Sequence, residues 1–176
     1  MKVTVKKLVI SAMFIAIGLV LPFLTGQIPE IGKMLLPMHI PVMLCGFICG
    51  WPYGLAVGAI TPVLRSFCFG QPMLFPMAIA MAFELAAYGA VCGALYKAFP
   101  KKKWMFYPEL IVSMIAGRIV YALAMTVISG LSSVQFGIVP WVVSEIPSAL
   151  PGLILQIVLI PTVMIILQHA KLVPVK

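Results

Sequence analysis

Apolar residues fill this chain in long runs, broken by short clusters of Gly, Pro and Lys. A run of about 20 apolar residues is the length a helix needs to cross a bilayer. The runs predict six helices, over about 5–24, 38–50, 54–69, 73–98, 107–129 and 149–168. The breaks between them differ in kind. Residues 25–37 carry Gly26, Pro29, Gly32 and Pro37, yet also Ile28, Ile31, Met34, Leu35 and Leu36. A solvated loop has no use for that many apolar side chains, so this external loop is expected to fold back over the bundle as a lid. Residues 130–148 predict a second long external loop, also amphipathic, with a short interfacial helix around 139–146. Trp51-Pro52-Tyr53-Gly54 predicts a tight aromatic turn on the cytoplasmic side, and Gly70-Gln71-Pro72 a turn on the external side. The expected architecture is all-α: one six-helix membrane domain over residues 1–176, with both termini cytoplasmic.

Composition strengthens the membrane assignment. The chain is 63% hydrophobic and 9% charged, with a mean hydropathy of +1.17. Soluble domains are about one quarter charged. Asp and Asn are absent from the sequence, which removes most soluble turn chemistry and most acid-based sites. The net charge of +8 points to topology, not to nucleic acid. Lys2, Lys6 and Lys7 precede the first run, Lys97, Lys101, Lys102 and Lys103 share one gap, and Lys171 and Lys176 end the chain. That is the placement of cytoplasmic flanks under the positive-inside rule. The first run exceeds a signal-peptide core and has no clear cleavage site, so it is expected to be retained. Cys45, Cys49, Cys68 and Cys92 all lie in apolar runs, where they read as small buried residues and not as metal ligands. No metal or cofactor is expected.

The rarest residues mark the candidate site. Arg65, Glu84 and Arg118 lie inside apolar runs, where a charge costs about 2.5–3.5 kcal/mol on insertion scales. Glu84 and Arg118 are expected at matched depth on consecutive helices, either as a structural ion pair or as part of a substrate cavity. Arg65 is expected near the external face, as a loop anchor or as a contact for an anionic ligand. At substrate-contact positions the sequence also offers His39 beside the expected lid and Gln71 in the external turn. Tyr121 follows Arg118, Trp141 and Glu145 lie in the second external loop, and Gln156 sits in the last helix. One intramembrane acid does not make a proton relay. No phosphate-binding loop, catalytic triad or zinc constellation is present, so the chain is not expected to be an enzyme. A small membrane enzyme and a passive channel subunit are the competing classes. A transporter of this composition needs an energised partner.

Several features together carry a family resemblance. Ala12-x-x-x-Ala16 places two small residues on one face of the first helix. The segment Leu36-Pro-Met-His-Ile-Pro-Val-Met-Leu-Cys-Gly-Phe-Ile-Cys-Gly-Trp-Pro-Tyr-Gly-Leu-Ala-Val-Gly58 is followed by Thr61-Pro-Val-Leu-Arg65. With the chain's size and expected topology, these features resemble the substrate-binding S component of an energy-coupling factor (ECF) vitamin transporter. The resemblance covers nearly the whole chain and is nearer the pantothenate-type S components than the riboflavin or thiamine types. It implies high-affinity uptake of a small water-soluble vitamin or precursor across the bacterial plasma membrane, with pantothenate or another small anionic vitamin first. Riboflavin, folate and a queuosine precursor are the alternatives. It implies as partners a transmembrane coupling subunit, docked through Ala12 and Ala16, and two ABC ATPases.

Overall fold

The structure is a computed structural model that describes residues 5–25, 29–99, 103–132 and 136–170. Lys2, Lys101, Lys102, Lys171, Lys176, residues 26–28 and Gln135 lie outside the described residues, as do the side chains of Glu30, Lys33 and Lys103. The described elements are all helical. They are α1 (Val5–Val20), α2 (Pro29–Leu35), α3 (His39–Cys49), α4 (Trp51–Phe69), α5 (Ile79–Ala98), α6 (Phe106–Leu131) and α7 (Ile138–His169).

The bundle is built around α3. Ten of its eleven residues are buried, as expected for a helix that is apolar on every side. It packs against α1, α4, α5 and α7. At about 1.5 Å per residue, α3 is too short to cross a hydrocarbon core of about 30 Å. The predicted helix over 38–50 is therefore present, but as a core element of about half a membrane's thickness. Four helical stretches are long and apolar enough to cross a membrane: Val5–Leu24, Leu74–Ala98, Phe106–Leu131 and Pro147–His169. The exposed side chains of the long helices are mostly apolar, for example Ile111, Ile115, Ile119, Leu123 and Val127 along α6. A surface of that kind belongs in lipid.

Small residues set the spacing at the centre. A Cβ on Gly54 would stand 2.7 Å from the Cα of Gly46, and one on Gly89 would stand 2.8 Å from the Cα of Gly54. Glycine at these positions lets the backbones of α3, α4 and α5 touch, the device by which membrane helices gain dispersion contact. At the end where α3 and α5 finish and α6 begins, Tyr96 and Phe106 stack at 5.8 Å and Phe47 meets both edge-on at 5.5 and 5.9 Å. These rings fill that end of the bundle.

Four expectations need correction. The loop over 25–37 contains a helix, α2, which packs against α7. The loop over 130–148 gives way at Ile138 to α7, which runs on through Pro147, Pro151 and Pro161. These prolines read as breakers, but helices in apolar surroundings tolerate proline when neighbours satisfy the freed carbonyls. The turn expected at Trp51–Gly54 lies one residue earlier. Gly50 takes it with φ 100°, and Trp51 and Pro52 already open α4; proline suits a first helical turn, where its missing N–H has no partner to lose. Finally, the helix expected from Met73 is irregular until Ile79, because Phe75 is extended at φ −119°, ψ 130°.

Candidate functional site

One cavity of about 450 Å³ opens at the end of the bundle opposite the aromatic plug. Ligand pockets run from about 300 to 1,000 Å³. The start of α3, the end of α4, the irregular entry to α5, the middle of α6 and the start of α7 all contribute walls. Pro22, Gly32, Leu36 and Pro37 close it from the α1–α3 connection. Leu36 takes φ 49°, a left-handed conformation that costs a residue with a Cβ roughly 1–2 kcal/mol. The chain thus turns sharply at the cavity edge, between α2 and α3. Gly70 ends α4 in the left-handed region at φ 69°, where glycine pays no steric cost. That turn carries Gln71 and Pro72 to the cavity.

The cavity gathers His39, Arg65, Gln71, Glu84, Arg118, Tyr121, Trp141 and Glu145. These are eight of the nine candidate contact residues. The ninth, Gln156, does not line it. Gln156 is fully buried on α7, with both amide atoms lacking a hydrogen bond among the described residues.

The two cations of the wall, buried Arg65 and half-buried Arg118, differ in what holds them. Arg65 Nη1 donates to the Leu19 carbonyl at 2.6 Å. Its guanidinium also lies 5.3 Å and 5.5 Å from the ring centroids of Phe23 and Phe69. Arg65 therefore ties the end of α1 to α4 while it forms part of the wall. The sequence predicts an anchor for an external loop or a ligand contact; the contact seen here is to helix α1 instead. Arg118 Nη1 lies 3.2 Å from Glu84 Oε1, and His39 Nε2 lies 3.6 Å from the same oxygen. The His39 ring also meets the Tyr88 ring edge-on at 5.0 Å.

This cluster has charge neutralised but hydrogen-bond capacity unused. Glu84 Oε1, Arg118 Nη2, both His39 nitrogens and the Tyr88 hydroxyl have no hydrogen bond among the described residues. The Arg118–Glu84 contact is close in distance but lacks hydrogen-bond alignment. Buried polar groups are usually paired, because each unpaired one costs about 1–3 kcal/mol. A cluster of them at a cavity wall is a site that a polar ligand would complete. Among the described residues, no group of three or more His, Cys, Asp or Glu side chains could hold a metal ion.

Sequence reasoning missed the apolar wall. Met38, Met73, Met77 and Met81 all line the cavity. The signal was available: Met77, Met81 and Glu84 follow at helical spacing, so thioethers lead from the entry to α5 down its face to the acid. On the other side Tyr121 and Trp141 stack at 5.5 Å with planes 22° apart.

No curated protein and no solved structure matches the chain. A family model does, over residues 6–164, and it describes the substrate-specific component of an ECF transporter. The all-helical bundle with an end cavity is the architecture such a subunit needs, and the chain belongs to that family.

Proposed function

We propose that this chain captures a small water-soluble vitamin or precursor in the end cavity and delivers it to a transmembrane coupling subunit driven by two ABC ATPases. The observation that carries the proposal is the Glu84–Arg118–His39 cluster with its unused hydrogen-bond atoms, set in a cavity beside a helical lid. In this reading the cavity opens outside the cell, both termini are cytoplasmic, and the remaining two of six passes run through α4 and through α3, whose helix spans about half the core and leaves the α1–α3 connection to cover the rest. The lysine placement supports that orientation.

The docking surface supports it too. Ala12 and Ala16 are both exposed on α1, on a face shared with Val5, Leu8, Val9, Met13 and Val20. Among the described residues no side chain covers them, so a close helix contact there suits a partner. Pantothenate or another small anionic vitamin stays within the proposal, as do riboflavin, folate and a queuosine precursor. With Arg65 held by Leu19 and two rings, Arg118 is the cation such a ligand would meet.

The test is uptake of radiolabelled vitamins into proteoliposomes holding this chain with the coupling subunit and ATPases. Accumulation is expected to require ATP. Ala16→Trp is expected to abolish it while binding to the isolated chain persists. Flux through the chain alone, without ATPases, would contradict the proposal.

A further inference from the structure

We infer that the cavity selects an uncharged ligand, with a hydrogen-bond donor and acceptor side by side on a flat body, over a carboxylate anion. This rests on the binding role proposed above and narrows its ligand set, placing neutral ligands ahead of pantothenate and other carboxylates.

Charge balance is the first ground. The described ionic side chains of the wall are two guanidiniums, Arg65 and Arg118, against two carboxylates, Glu84 and Glu145. Arg118 is the cation best placed for a ligand, and Glu84 stands 3.2 Å from it. A ligand carboxylate approaching Arg118 therefore approaches Glu84 as well, in surroundings that screen poorly. An anion gains one attraction and meets one repulsion. A neutral edge meets no such conflict.

The second ground is which atoms lack partners. Arg118 Nη2 is a donor without a hydrogen bond, and Glu84 Oε1 is an acceptor without one. His39 lacks a hydrogen bond at both nitrogens, one of which donates and the other accepts in the neutral ring. Donor and acceptor capacity thus lie next to each other, on buried His39 and Glu84, 1% and 2% exposed, and on a buried nitrogen of the half-buried Arg118. An amide, lactam or ureide edge supplies the complementary pattern. A carboxylate supplies acceptors alone and leaves Glu84 unanswered.

The third ground is the shape of the remaining wall. The stacked Tyr121 and Trp141 rings present a near-parallel aromatic surface, and Met73 and Met77 from the irregular entry to α5, with Met81 from α5 itself, line the cavity. Thioethers and aromatic faces pack well on a planar ring. Neither requires charge.

Matched pairs of fragments test the inference. Benzamide and benzoate share a ring and differ in the edge, whereas uracil and orotate share the ureide edge and differ by the carboxylate that orotate adds at C6. Dissociation constants are measured by ligand-observed NMR on the purified chain in nanodiscs. The amide and ureide are expected to bind about tenfold tighter than their acids, or more, a difference of about 1.4 kcal/mol. Acids binding as tightly as their neutral partners would overturn the inference, and so would no binding by any of the four. Glu84→Gln is expected to narrow or reverse the preference, and Arg118→Gln to widen it. An unchanged preference in a folded variant would overturn the assignment to this pair. Should neither variant fold, the comparison on the unaltered chain decides. ATP-dependent uptake is a separate measurement, so the transport role survives if only the ligand class fails.

Discussion

Glu84 meets two partners, Arg118 at 3.2 Å and His39 at 3.6 Å, through the same oxygen. Three titratable groups from α3, α5 and α6 thus converge on one point of the cavity wall. Interacting charges of this kind are not independent, so single substitutions at Glu84 and Arg118 should not add. A double-mutant cycle with Glu84→Gln and Arg118→Ala, read by thermal unfolding in detergent, is expected to show a coupling of about 0.5–3 kcal/mol. Simple additivity would show that the contact carries no energy. The existence of this pair was legible in the sequence, because an acid and a base inside apolar runs seldom stay apart. His39 as third member was not, since its distance from Glu84 in sequence gives no hint of a contact. The role of Arg65 was half legible. Its depth near the cavity followed from its place in the run, but the carbonyl of Leu19 and the rings of Phe23 and Phe69 come from another part of the chain. No spacing rule connects them.

Among the elements, α2 is the one the sequence expected as a lid without expecting a helix. Pro29 and Gly32 read as breakers, yet Pro29 occupies the first position of the helix, where proline is tolerated. Its hold on the bundle runs through Gly152. A Cβ there would collide with the backbone of Met34 and Leu35 at the end of α2. Those atoms are backbone and cannot swing aside, so Gly152→Val is expected to push α2 off α7. Release of bound radioligand from the purified chain should then quicken by at least about tenfold. An unchanged release rate would remove α2 from the role of lid. The long helices were easier to read. Apolar runs the length of a bilayer leave little choice of structure, because every backbone group must be paired inside the segment. The start of α7 was harder, since Pro147 and Pro151 hid a continuous helix behind soluble-protein rules.

As a whole molecule, the chain is a bundle closed at one end by Phe47, Tyr96 and Phe106 and open at the other into a cavity of about 450 Å³. That asymmetry was not legible in composition, which spoke only for the membrane; it follows from where side chains of five helices meet. It fits a subunit that binds from one side and hands its cargo on. The central claim is that a small molecule occupies this cavity. Native mass spectrometry of the purified chain beside Met77→Trp, which fills the cavity at the entry to α5, tests it most directly. The unaltered chain is expected to carry one small molecule per protein, and the blocked variant none. An empty unaltered chain, or a ligand held equally by both, would contradict the account.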